Sequence, residues 1–150
     1  MGALALLMPA CQQPTYDNSD ELDIHTPYFA GSWTLTKVDQ TDTRVAPGGL
    51  RSLDVTPLFL DQSSSFTFTA DGTFTATGFF ANQIGGSGSW QLDDARFPTE
   101  VQFTNSEGTA TTLELGASVI EFSDQMKLVN VSMGCDGDPA TSYTYTFDKQ

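Results

Sequence analysis

The chain has 150 residues, enough for one domain with a single core. Six Lys+Arg against 19 Asp+Glu give a net charge of −13, which argues against a nucleic-acid reader and excludes a basic patch for anionic lipid. One His removes most catalytic triads and most His-built metal sites, and no apolar run approaches the ~18–20 residues of a membrane span.

Residues 2–10 read GALALLMPA and precede Cys11. An apolar stretch, a small residue and then Cys resembles the end of a bacterial lipoprotein signal, with Cys11 as the acylated residue. Residues 1–10 are therefore read as a signal remnant, and the lack of a Lys or Arg before the apolar run suggests either a start further upstream or a trimmed leader. The next residues, QQPTYDNSDELD, lack apolar periodicity and carry Asp17, Asp20, Glu21 and Asp23 without a base. Residues 11–28 are read as a solvated acidic linker, and residues 29–150 as the folded domain.

From Trp33 onward short alternating segments are separated by turns. The expected strands are 33–39, 64–70, 73–80, 87–93, 100–105, 109–115, 118–123, 126–133 and 141–148, and no segment shows a 3.6-residue period. This predicts an all-β protein, an antiparallel up-and-down meander closed as a barrel of about eight strands or stacked as a β-sandwich. In SFTFTADGTFTAT a two-residue Asp-Gly loop would put Phe on both faces. A three-residue loop, Ala70-Asp71-Gly72, pairs Phe68 with Phe74 and Phe66 with Ala76, and every Phe then shares one face. The same reasoning pairs Asn105 with Thr109, Val101 with Leu113 and Phe103 with Thr111, with Gly72 and Gly108 both at positive φ. The facing of 126–133 stays open, because no register keeps Leu128 inward while aligning Val129 and Val131 with Ile120 and Phe122.

Gly31-Ser32-Trp33-Thr34-Leu35 is echoed by Gly88-Ser89-Trp90-Gln91-Leu92. The Gly-x-Trp opening of a first strand, followed by a meander, resembles the lipocalin superfamily. The closer likeness is to a family of Bacteroidetes lipoproteins with lipocalin-like barrels. Asp71-Gly72-Thr73-Phe74, Gly88 to Asp94, Phe97-Pro98, Gly134-Cys135 and Tyr143-Thr144-Tyr145 carry it, and they span residues 29–149. The resemblance implies a barrel fold and a lipid-anchored place at the outer membrane. It implies no activity and no catalytic residue.

Candidate chemistry is sparse. Asp93 and Asp94 are adjacent on a strand end and point opposite ways, so they read as turn formers rather than an acid–base pair. Asp136 and Asp138 flank Gly137 and are weak candidates for Ca²⁺, with too few oxygen ligands in a row for a recognised loop. Cys135 is either a buried inert thiol or one that seeks a partner, and His25 lies in the linker. Nothing converges on nucleophile, base and oxyanion donor, so no enzyme and no cofactor is expected. The 40–63 connection carries Leu50, Leu53, Val55, Leu58, Phe59 and Leu60, which favours a plug over a solvated lid. The inward positions are mostly bulky, so the barrel is expected to be filled, with a shallow pocket at one end lined by Tyr143, Tyr145 and Phe59. The expected partners are the membrane, through the anchor, and a small apolar ligand or an envelope protein. The leading reading is a lipid-anchored envelope binding or accessory module; the alternative is a structural component of an outer-membrane complex with no small ligand.

Overall fold

Phe66, Phe68 and Phe74 are buried while Thr67 and Thr75 are exposed, and this alternation repeats around the sheet. The computed structural model describes residues 26–44, 51–59, 63–95, 97–116 and 124–150. A short helix α1 (Thr26–Phe29) leads into β1 (Gly31–Asp42) and β2 (Ser52–Asp54), followed by a 3-10 turn (Thr56–Leu58). Then come β3 (Ser65–Phe68), β4 (Thr73–Ala76), helix α2 (Gly78–Ile84), β5 (Ser87–Leu92) and β6 (Glu100–Asn105). Last are β7 (Ala110–Leu115), β8 (Gln125–Met133) and β9 (Pro139–Lys149).

Consecutive strands from β3 to β9 pair antiparallel, β3 pairs with β1, and β9 returns to β1. The sheet is thus a closed, lipocalin-like barrel of eight strands, with β2 as an extra strand on the far half of β1. Closure rules out the sandwich and leaves no open edge among the eight.

Both hairpin registers follow the burial argument. Phe68 lies opposite Phe74 and Phe66 opposite Ala76, with the Thr69 and Thr73 backbones closing a three-residue loop and Gly72 at φ +82. Val101 lies opposite Leu113 and Phe103 opposite Thr111, with Gly108 at φ +84. The facing of β8 is settled by β9: Met126 pairs with Phe147 and Leu128 with Tyr145, so both turn inward.

Three expectations are corrected. The segment 73–80 is not one strand, because β4 stops at Ala76 and α2 begins at Gly78. Two turns are too short to display a period in sequence, yet Phe80 and Ile84, four apart, both enter the core. The buried Ser64 hydroxyl accepts the Phe79 N–H, supplying a partner for the helix start. Alternation along β1 also breaks. Leu35 pairs with Phe147 and Lys37 with Thr146, so Thr36 is a bulge and Val38, not Lys37, is the next inward residue. Finally, 40–63 is no simple connection. Val55 is buried and Phe59 packs on the core, as a plug requires, but Leu53 and Leu58 are 62% and 74% exposed. The expected strand 118–123, with Ile120 and Phe122, and the apolar Leu50 and Leu60 lie outside the described residues.

Aromatic rings fill the barrel. Phe66 stacks on Phe68 at 5.2 Å and on Phe103 at 5.7 Å, and meets Phe80 and Phe147 at 5.0 and 5.3 Å. One end is stopped by Phe29, whose ring lies 4.7 Å from Phe68 and 4.9 Å from Trp90. The Trp33 indole N–H donates to the Phe29 carbonyl at 2.9 Å, and Lys149 Nζ donates to the Tyr28 carbonyl while lying 5.2 Å above the Trp33 ring. The barrel cap therefore includes α1, most of which falls in the segment read from sequence as linker.

The second Gly-x-Trp has a steric reason. A Cβ on Gly88 would fall on the Thr104 carbonyl oxygen and 2.8 Å from Asn105 Cα, both backbone. Gly88→Ala should therefore cost at least about 2 kcal/mol, whereas Gly108→Ala, with open space at positive φ, should cost about 1 kcal/mol. Urea unfolding of the two variants checks the order, and equal losses would refute the close-approach argument. Phe29→Ala should lower stability by about 3–5 kcal/mol, as an emptied aromatic core site does. A loss below about 1 kcal/mol in the same assay would show that α1 does not stop the barrel.

Candidate functional site

Strand length places the site. β1, β8 and β9 run 12, 9 and 11 residues, while β3 to β7 run 4 to 6. The three long strands therefore reach past the others at the end away from Phe29. Their inward rungs change character on the way. Phe147 pairs with Leu35 and Met126, and Tyr145 with Val38 and Leu128. Tyr143 then pairs with Gln40 and Asn130, and Thr141 with Asp42 and Ser132. The wall is apolar beside the core and polar above it.

Phe59, from the 3-10 turn, and Phe79 and Gln83, from α2, face this wall. Together with Asn130, Ser132, Tyr143 and Tyr145 they line an open cleft of about 400 Å³. Tyr143, Tyr145 and Phe59, the trio expected from the sequence, thus share one cleft. Phe59 meets Tyr145 edge-on at 6.0 Å and Phe79 edge-on at 5.1 Å. Tyr143 and Tyr145 lie side by side, 6.4 Å apart and 21° from parallel. Among the described residues no lining side chain is charged.

Tyr145 is 4% exposed, and burial, then the neighbouring Tyr143, pushes its phenol up to about 12. It therefore remains a neutral hydroxyl, able to donate and accept. Neither tyrosine hydroxyl, nor the side-chain amide of Asn130 or Gln83, nor the Ser132 hydroxyl has a hydrogen-bond partner among the described residues.

Gln83, Phe79, Asn130 and Ser132 were not singled out from the sequence. Phe79 and Gln83 were hidden with α2. Asn130 and Ser132 alternate with Met126 and Leu128, and pairing them against Tyr143-Thr144-Tyr145 would have shown them inward.

The other sequence candidates are occupied differently. Asp93 accepts hydrogen bonds from the Thr99 and Glu100 backbones and from the Thr99 hydroxyl, and Asp94 accepts one from the Phe97 backbone. Burial acts to raise the Asp93 carboxyl, but those bonds outweigh it and hold the group below the usual range. Both aspartates shape the β5–β6 connection. Asp136 is ion-paired with Arg44 and also accepts the Asp138 N–H, while the Asp138 carbonyl accepts from the same guanidinium. Asp136 and Asp138 thus build the β8–β9 turn, and among the described residues no three His, Cys, Asp or Glu converge. Cys135 is exposed in that turn as a free thiol. Cys11 and His25 lie outside the described residues. A further cleft of about 360 Å³ flanks the β3–β4 hairpin, lined by Asp71, Gly72, Trp90 and Gln91 among others. Its polar groups are committed: Asp71 to Thr69 and Thr73, and Gln91 to Gln102.

The fold and this cleft define a closed, aromatic-filled barrel with one uncharged, part-polar recess at its longer-stranded end. No protein-family model matches the chain, and no curated protein matches it.

Tyr145 generates a pH prediction. Its folded-state value lies above the ordinary value of 10.0, so the stabilisation is fully present below pH 10 and is lost as pH rises to about 12. Phenolate absorbance should show one tyrosine titrating near pH 12, and Tyr145→Phe should remove that step. A step that survives the substitution would assign the shift to another tyrosine.

Proposed function

We propose that the chain is a lipid-tethered binding module of the cell envelope, held at the outer membrane through Cys11, whose barrel-end cleft takes a small uncharged ligand. The observation that carries the binding half is the Tyr145 hydroxyl. Its ring is buried and its hydroxyl opens at the floor of the recess without a partner among the described residues, beside Asn130, Gln83 and Ser132, which also have none. A ligand group that donates or accepts would bond this hydroxyl where the rings around it keep competing water few. The apolar ligand expected from the sequence is refined by this wall, because rings line one part of the recess and hydrogen-bonding groups the rest. The filled interior leaves no place for a long acyl chain along the barrel axis.

The tether half rests on the sequence: GALALLMPA before Cys11, then an acidic linker, as in the Bacteroidetes lipoproteins the chain resembles. A structural component of an outer-membrane complex is the second reading, and the exposed Leu53, Leu58 and Met133 favour it.

Two measurements separate these. Cys11→Ala should abolish incorporation of labelled fatty acid and move the protein from the membrane to the soluble fraction. Unchanged fractionation and labelling would refute the tether. Nuclear magnetic resonance screening of the ¹⁵N-labelled protein with uncharged small molecules should shift amides at 130–132 and 143–145. A screen that moves none of them would leave the structural reading in its place.

A further inference from the structure

The cleft is one half of a longer surface. Gln40 pairs in register with Tyr143 on one side and with Leu53 on the other, so all three share a face of the sheet. On the β2 side that face carries a second open recess of about 500 Å³, lined by Gln40, Asp42, Arg51, Ser52 and Leu53. The Gln40 amide is half-buried and has no hydrogen-bond partner among the described residues. The recesses thus adjoin across Gln40, and together they suit something longer than either.

The chemistry of the wall narrows what that is. Its deep part is aromatic and its sides are mostly amides and hydroxyls, Gln40, Gln83, Asn130, Ser132, Tyr143 and Tyr145, with one carboxylate and one guanidinium, Asp42 and Arg51, side by side in the β2 recess. Amides and hydroxyls each donate and accept, so they match a ligand whose own groups do both. Some polar side chains of the sheet bond each other across strands, as in Ser32 with Thr67, Gln91 with Gln102 and Ser65 with Thr77. The amides and hydroxyls of this face do not, and stay available to a ligand. A fatty acid would leave the amides unpaired, and its carboxylate would find one cation, Arg51, with Asp42 lining the same recess and a net charge of −13 on the chain. A flat aromatic molecule would satisfy the rings and leave the same amides unpaired.

Resting on the reading of the barrel-end cleft as a ligand site, we infer that its ligand is a short neutral oligosaccharide, laid from Tyr145 across Gln40 toward Leu53. The apolar C–H faces of its sugar rings sit against Tyr143 and Phe59. Its hydroxyls pair with Asn130, Ser132, Gln83 and Gln40, and the innermost one with Tyr145.

The test is a titration of the ¹⁵N-labelled protein with separate ligands. They are neutral tetrasaccharides of glucose, galactose, mannose and N-acetylglucosamine, the matching monosaccharides, an oligogalacturonate, and 2-naphthol. At least one neutral tetrasaccharide should shift the amides of 130–132 and 143–145 together with those of Gln40 and Leu53. It should bind at least tenfold more tightly than its monosaccharide. Asn130→Ala and Ser132→Ala, both at exposed positions, should each weaken it about tenfold, the loss of one well-placed hydrogen bond, with the rest of the spectrum unchanged. Either variant alone suffices if the other fails to fold. Binding of 2-naphthol in the cleft with no saccharide binding overturns the oligosaccharide and leaves the ligand site standing. Tighter binding of oligogalacturonate overturns the neutral assignment, and monosaccharides binding as tightly as tetramers overturn the extended surface. No shift at the cleft with any ligand overturns both the oligosaccharide and the site beneath it.

Discussion

The ring of Phe66 touches the rings of Phe68, Phe80, Phe103 and Phe147, all within 5.0–5.7 Å of it, from four different elements of the chain. That contact set forces β3, β6, β9 and α2 to face a common centre, and only a closed sheet lets three of its strands do so at once. Once the centre is occupied by rings at van der Waals distance, no lumen remains for a ligand of any length. The function of a barrel built this way is displaced to its ends. Phe29 and Trp33 occupy one of them, and the extended strands β1, β8 and β9 shape the other.

The difference between the two ends comes from strand length and one bulge. Were Thr36 an ordinary rung of the ladder rather than a bulge, Lys37 would point inward and Val38 and Gln40 outward. The bulge is bound in place. The Thr36 hydroxyl donates to the Thr146 carbonyl, Val38 N–H donates to the Thr56 hydroxyl, and Val55 N–H donates to the Val38 carbonyl. The Asp54 carboxylate accepts hydrogen bonds from the Thr56 hydroxyl and N–H, which hold it below the usual carboxylate range. A single irregularity in β1 thus sets which side chains reach the recess, and it fixes the 3-10 turn that carries Phe59.

Much of this was legible in the residues. Where Phe and Thr alternate strictly, as in 65–76, burial leaves one admissible register, and the hairpin could be drawn to the residue. Tyr143, Tyr145 and Phe59 were grouped because bulky inward residues ended in hydroxyls near the long connection. What could not be read had physical causes. Phe80 and Ile84 belong to a helix of seven residues, too short for a periodic signal. Val38 was masked by a bulge, which inverts alternation without changing composition. Asn130 and Ser132 were missed because β8, which meets β7 at two residue pairs among the described residues, takes its register from β9. Gly88 stands out in sequence as part of the echoed Gly-x-Trp, but the backbone at Thr104 that requires a glycine there is nonlocal and has no signature in sequence.

The account depends on the barrel interior being solid around Phe66. Crystals pressurised with xenon test this directly, since xenon enters dry apolar voids and leaves well-packed cores empty. A closed, filled core predicts no xenon peak within the shell formed by Phe66, Phe68, Phe103 and Phe147. A well-occupied xenon site inside that shell would show a hidden cavity and return the ligand site to the barrel axis.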